Sequence, residues 1–428
     1  MTEQRALSFS HRLEDALQRT GKALLVDAHM QEKVQAMEPY EAYLVFKELG
    51  LEDAVPLLQC ATQEQIQTCI DLDCWEGDEP SVADLDAWLS PFAQAGKDVL
   101  AETFLQLESE IQVLHLAAML NIYDVRNEEA PPEHDDMPRK TTQDGFFILE
   151  PKDHTIEYDV DPFYLVDALY LHDYHEAFRL LMAAKWELAG QLSEQALQFR
   201  TGRLADLGFP DRVEALTIFS APGRPNQTPY RTVHHTQTPL PALYADPMRD
   251  QSRVFCRAAN QITDPQAIAT LTHALMTLCN HAVIAFVQHP GSFERMRQVM
   301  VRVRDTLNLG TEILLTSQGR MVTDDIAACA IVQSTPLFEI FRHGFAALKP
   351  LQQLAQKRML EPSFITWFDG LETEQDDYSQ SRSNRMFVKG LLASGVLWQG
   401  WDILRPEREK AFSTLRDLED AKVRLENL

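Results

Sequence analysis

Leu49-Gly50-Leu51-Glu52-Asp53-Ala54 and Leu207-Gly208-Phe209-Pro210-Asp211 are two versions of one phrase. In each, a stretch of helical periodicity runs into a glycine, one apolar residue follows, and an acidic first turn opens the next helix. Glycine enters a left-handed conformation past a helix end without a Cβ clash. Acidic side chains in a first turn face the positive end of the helix dipole. This grammar predicts stacked helix pairs, which present surfaces for partners rather than a reaction centre.

The surroundings of the first phrase agree. Glu38-Pro39-Tyr40 opens the preceding helix, with proline in the first turn, where its missing N–H costs nothing. Tyr40, Tyr43, Leu44, Phe46 and Leu49 crowd toward one side of it. Asp53 to Leu58 begin another helix, Thr62-Gln63-Glu64-Gln65 reads as a capping box, and Ile66 and Ile70 continue its apolar face. Cys74 to Pro80 break that helix. Ser81 caps the next, through Leu85, Trp88 and Leu89. Residues 1–130 therefore read as an N-terminal helical repeat-like domain.

Residues 131–160 read as an acidic, proline-bearing linker (Pro131, Pro132, Pro138) carrying a small β-hairpin near 144–158. Its expected strands are 145–149 and 155–158, joined through 151–154. Helices resume at Asp161-Pro162 and fill 161–220, including the second phrase. Residues 221–250 hold six prolines and read as a loop. Residues 251–428 read as a C-terminal helical bundle built around 266–288, with a polar loop at 369–384. In the final segment, 406–428, Phe412, Leu415, Leu418, Leu425 and Leu428 form one stripe, suited to docking or to a dimer seam. The expected fold class is mainly α: stacked helix pairs plus a C-terminal bundle, with one small β element.

The net charge of −25, from 39 Lys and Arg against 64 Asp and Glu, opposes nucleic acid at long range, so none is expected as a partner. Arg295, Arg297, Arg302 and Arg304 scatter over helix faces and read as solvated. The six cysteines form no C-x-x-C pair, and Met1 to Arg5 lacks the apolar core of a signal peptide; reduced thiols in a cytoplasmic protein are expected. Residues 265–293 hold no charged side chain and are long enough for a membrane span of ~20 residues. Thr270, Thr272, His273, Thr277, Asn280 and His281 interrupt that window, so a central helix buried by its neighbours is expected, with no stable membrane insertion.

The densest polar cluster is Arg200, Arg203, Asp206 and Asp211. The first three lie at three-residue steps, near one helix face. Two guanidinium groups could clamp a carboxylate or phosphate, or tie one helix pair to the next through Asp206 and Asp211; the tie is preferred. His172 and His175 could offer two imidazoles to a metal, but no third ligand is near. His273, Thr277 and His281 make a polar stripe that reads as hydrogen-bonded core. Glu339 and His343 share a face, and nothing repeats the pair. Trp75, Trp88, Trp367, Trp398 and Trp401 read as packing. No nucleophile elbow, no Gly-rich phosphate loop and no Walker-type Gly-Lys-Ser/Thr occurs. No catalytic residue, metal or cofactor is expected.

The run from Glu194 to Asp211, with Arg200-Thr201-Gly202-Arg203-Leu204-Ala205-Asp206-Leu207-Gly208-Phe209-Pro210-Asp211 at its core, resembles the signature of a bacterial family of unknown function. That family also carries phrases like Asp71-Leu72-Asp73-Cys74-Trp75 and Asp144-Gly145-Phe146-Phe147. The resemblance covers most of the chain and implies no reaction. Residues 37–125 more weakly resemble the helical N-terminal domain of MgtE-type magnesium transporters, which implies an interaction or regulatory surface; no membrane part accompanies it.

Two functions are consistent with these readings. One is a cytoplasmic, non-catalytic interaction or regulatory protein whose partner is a protein of unknown identity with a basic face. The other is an enzyme or small-ligand sensor, its pocket expected between the helical halves, covered by 221–250 and served by Arg200, Arg203, Asp206, Asp211, His234 and His235.

Overall fold

The computed structural model describes residues 8–17, 20–127, 129–132, 137–153, 155, 157–223, 240–286, 293–370, 380–393 and 395–428. The fold is mainly α-helical, with one two-stranded and one three-stranded antiparallel sheet among these residues. The described chain forms two compact units. One is 20–207; the other gathers 8–17, 208–223, 240–286 and 294–428. The division falls at Leu207/Gly208, inside the second version of the opening phrase.

In the unit 20–207, two short helices, Gly21–Leu25 and Met30–Gln35, precede two triplets. Pro39–Leu49 and Leu51–Leu58 are separated by Gly50 alone, at φ 83°. Val82–Ala95 and Lys97–Leu105 are separated by Gly96 alone, at φ 124°. A third helix completes each triplet, Gln63–Asp73 and Ser109–Met119. Each of these places a buried glutamine amide against carbonyls at the end of a neighbouring helix, where few backbone donors remain. The Gln65 amide donates to the carbonyls of Val34 and Met37 (2.7 and 2.9 Å). The Gln112 amide donates to those of Phe104 and Leu107 (2.9 and 2.7 Å). The Thr62–Gln65 capping box forms as expected.

Three more helices extend the stack. Pro162–His172 packs on Lys97–Leu105, Tyr174–Trp186 on Ser109–Met119, and Ala189–Asp206 on Ser109–Met119 and Gln63–Asp73.

The β element differs from expectation. Phe147–Pro151 is the central strand, flanked by Leu120–Asp124 and Lys140–Thr141. Ile122 faces Leu149, and Thr141 faces Ile148. The turn is at 142–145, before the central strand. Asp144 Oδ1 accepts from Phe146 N (2.9 Å) and Thr142 Oγ1 (2.6 Å), and Gly145 sits at φ 71°. Of the expected second strand, residues 155, 157 and 158 are described and form none. Leu120–Asp124, expected as helix, buries Leu120, Ile122 and Asp124 in strand alternation.

In the other unit, Phe9–Leu17 packs against Ala242–Ala245 and Val254–Asn260, with Phe9 N donating to Ile262 O (3.3 Å). The expected loop 221–250 is helical over its described end: Ala242–Ala245 is followed by a 3₁₀ turn, Asp246–Arg249, whose Pro247 lies in the first turn. The uncharged stretch forms Pro265–Phe286, with Leu275, Leu278, Cys279 and Ala282 fully packed. It is the one helix among the described residues long and apolar enough to cross a membrane. Its Asn280 accepts from Tyr244 Oη (2.7 Å) and donates to Gly208 O (3.2 Å), holding the opening phrase's second glycine.

Phe293–Ser317 and Leu337–Ala346 cross with backbone against backbone. A Cβ on Gly310 would land on the carbonyl oxygen of Ile340, and one on Gly344 on that of Thr306. Arg302 and Arg304 are not solvated as expected. Arg304 pairs with Asp305 (2.7 Å) and Asp250 (3.3 Å), while Arg302 donates to Gly395 O and lies over the Phe286 ring. The terminal helix begins at Leu415, not near Pro406, because Thr414 and Asp417 form a capping box there. It docks within its own unit: Leu425 is buried, and Arg424 donates to Gly400 O (2.8 Å) and Ser383 Oγ (3.0 Å).

Candidate functional site

Helix Ala189–Asp206 carries Arg200 and Arg203 on the side facing Gln63–Asp73. Arg203 grips Asp71 with two parallel bonds, Nε to Oδ2 (2.6 Å) and Nη2 to Oδ1 (2.8 Å). The same guanidinium reaches Glu108, Nη2 to Oε2 at 3.1 Å, with Nη1 on Oε1. Arg200 donates from Nε to the Asp71 carbonyl (2.6 Å) and lies 4.7 Å over the Trp75 ring. Gln67 Nε2 completes the shell of Asp71 at 3.1 Å.

Asp71 is 1% exposed. Burial raises its pKa, and the bonds from Arg203 oppose that rise. Burial also works against the charge on Arg203, but its hydrogen bonds to Asp71 and Glu108 outweigh it and hold the group above its ordinary value. Arg200 goes the other way, lowered by burial. Fork-to-fork geometry of this kind fixes orientation as well as charge.

Of the sequence candidates, Arg200 and Arg203 come together. Asp206 is exposed at the end of their helix. Asp211 caps Arg212–Ala215 by accepting from Glu214 N (2.8 Å). The expected tie exists, but its acids are Asp71 and Glu108, neither of which was a candidate. His234 and His235 lie outside the described residues. His172 and His175 are both exposed, and no group of three or more metal-ligating side chains occurs among the described residues. His281 is buried, its Nδ1 2.8 Å from Thr277 O and its ring edge-on to Phe338; burial pushes its pKa down to about 4. Glu339 is engaged by Arg342 (2.6 Å) and Gly223 N (2.9 Å). Trp88 donates to Asp73 Oδ2 (2.8 Å), which also receives Lys47 Nζ (2.8 Å). All six cysteines are free thiols.

The three phrases that carry the family resemblance thus have structural roles. Two of them touch, through Arg203 on Asp71 and Arg200 on Trp75. The third, Asp144 to Phe147, makes the turn and starts the central strand.

These features define a mainly α-helical protein whose most conspicuous polar cluster is an internal tie between helices. The chain belongs to the family of unknown function DUF6178, whose model matches residues 2–428. No curated protein and no solved structure matches the chain.

Proposed function

We propose that this protein is a cytoplasmic, non-catalytic interaction or regulatory protein: an acidic helical adaptor for a protein partner with a basic face. The observation that carries this reading is the partition of charge. Residues 20–207, one compact unit, carry 37 acidic and 12 basic side chains, whereas the rest of the chain carries 27 of each. The full excess of negative charge sits on one unit. Such a field speeds encounter with a cationic protein and repels nucleic acid and anionic lipid.

Three further features support it. Arg203 spends its donors on the carboxylates of Asp71 and Glu108, and Arg200 gives its Nε to the Asp71 carbonyl, which weighs against the sensor reading. The weaker resemblance of residues 37–125 to the helical domain of MgtE-type transporters implies an interaction or regulatory surface, in keeping with this reading. Helix Pro265–Phe286 buries Asn280 and His281 as a core helix would, so stable membrane insertion is not part of the proposal.

The test is capture of partners by the full-length protein at low and high salt, run beside thermal unfolding against a panel of metabolites, nucleotides and metal ions. A protein retained at low salt and released by salt is the expected result. A saturable rise in unfolding temperature with one small molecule, and no retained protein, would replace the adaptor with the sensor.

A further inference from the structure

Helix Tyr174–Trp186 is apolar on two sides. Ala177, Leu180, Leu181 and Ala183 are buried in the unit. Tyr174, Phe178, Met182 and Trp186 fall at four-residue steps along another side, where none is buried. Tyr174 is 41% and Trp186 58% exposed, and Leu171, just before the helix, is 59% exposed. The stripe broadens onto the neighbouring turn. Phe178 meets the Phe146 ring at 6.1 Å, and the Arg126 guanidinium lies 4.9 Å over Phe178 and 5.1 Å over Phe146. Aromatic, Met and Arg side chains together are the composition of a binding surface's centre.

The stripe's cations are neutralised from within. Arg126 is paired to Asp124 (2.7 Å), Arg179 to Glu176 (2.7 Å), and Lys185 to Glu129. Asp173 and Glu187 stand exposed at the two ends of the helix. An apolar stripe with acidic ends, on a unit with an excess of 25 negative charges, complements a segment that is apolar on one side and basic on the other.

We propose that the face formed by Leu171, Tyr174, Phe178, Met182, Trp186 and Phe146 docks a basic amphipathic helix of a protein partner. This rests on the adaptor reading and deepens it by naming the face and the occupant. Apolar side chains of the incoming helix at i, i+3, i+4 and i+7 lie along the stripe, and its Lys or Arg residues take the surrounding acidic field. Thioether and aromatic groups at the contact adapt to different aliphatic side chains.

The probe is a short synthetic leucine–lysine peptide patterned as an amphipathic helix. Its controls are a shuffled peptide of the same composition and the same helix with glutamate for lysine. Binding to the full-length protein is read by anisotropy of the labelled peptide. Only the patterned basic peptide should bind well, less tightly as salt rises. Tyr174→Ala with Trp186→Ala should weaken it at least tenfold, or about 1.4 kcal/mol, while circular dichroism stays unchanged because both residues are exposed.

Equal binding of the shuffled peptide, or full binding by the double variant, overturns the proposal. So does self-association abolished by the same variant, which would make the occupant a second copy, or binding to phosphatidylcholine vesicles in the peptide's place. If a natural partner is captured equally by wild type and double variant, this face is wrong and the adaptor reading survives. If wild type captures none and the metabolite panel gives a shift, the adaptor reading itself fails.

Discussion

Replacing Arg203 by leucine tests whether the cluster at Asp71 is a structural tie. Asp71 is 1% exposed, against 30% for the Arg203 side chain and 22% for that of Glu108. Removing the partner of a buried charge costs about 3–5 kcal/mol, because the remaining charge is left uncompensated. The half-exposed arm to Glu108 contributes about 0–1 kcal/mol. Arg203→Leu should therefore lose about 3–5 kcal/mol at pH 8, nearly all of it through Asp71. Without Arg203 the pKa of Asp71, already raised by burial, rises further above its unfolded value. A carboxyl raised in the folded state gains stability as pH falls, so the deficit should shrink as pH is lowered from 8. Asp71→Asn in the Arg203→Leu background should restore about half the loss. Urea unfolding followed by circular dichroism gives the energies. Hydrogen exchange in Gln63–Asp73 and Ala189–Asp206 localises them. A loss below about 1 kcal/mol with unchanged exchange in both helices would refute the tie.

Other perturbations have signs fixed by the structure. His115 is fully packed beside Phe104, neither ring nitrogen has a hydrogen-bond partner, and burial pushes its pKa down to about 4 from an ordinary 6.5. The neutral imidazole is the folded form, so stability is present above pH 6.5 and about 3 kcal/mol of it is lost as pH falls to 4; His115→Leu should flatten that part of the urea-midpoint profile, and an unchanged profile would contradict the assignment. Asp86 accepts from Asp159 N and Val160 N, yet burial pushes its pKa up to about 6. Its ionisation costs stability as pH rises from 3.8 through 6, so Asp86→Asn should gain on wild type at pH 8 relative to pH 4, and a constant difference across that range would exclude the effect. Gly344→Ala should cost about 1–3 kcal/mol by overpacking, measured as a lowered thermal midpoint, since the obstacle is the Thr306 carbonyl and not a side chain that can turn away; a neutral result would mean the helices separate easily.

Local chemistry was legible in the sequence wherever one residue decides it. Gly50, Pro39, Pro162 and the Thr62–Gln65 box act where their types predict. Gly96 does the work of Gly50 and went unread, because lysine rather than an acidic pair follows it. The strand Leu120–Asp124 follows a helix without a break, so its five alternating residues were absorbed into the helical pattern. Asp144-Gly145 is a strong turn signal; it joins Phe147–Pro151 to the two-residue strand Lys140–Thr141, while the longer pairing, to 120–124, lies outside any window around 145. The site was half legible for the same reason. Arg200 and Arg203 stand out at helical spacing, while Asp71 and Glu108 lie 132 and 95 residues from Arg203. Only the fold brings them into reach.

The helix Phe9–Leu17 belongs to a unit whose next residues come after 207. During synthesis it emerges ahead of the acidic unit, and the segment that covers Phe9, Leu13 and Ala16 follows roughly 220 residues later, about 10–45 s at ribosomal speed. Meanwhile the acidic unit can complete itself in the interval, as an insertion folding inside an unfinished host. The first helix must wait as an amphipathic strand of unfolded chain, and closure of the host around it is the last event. A substitution in Phe9–Leu17 therefore acts on the end of assembly, although that helix is made before the unit it waits for.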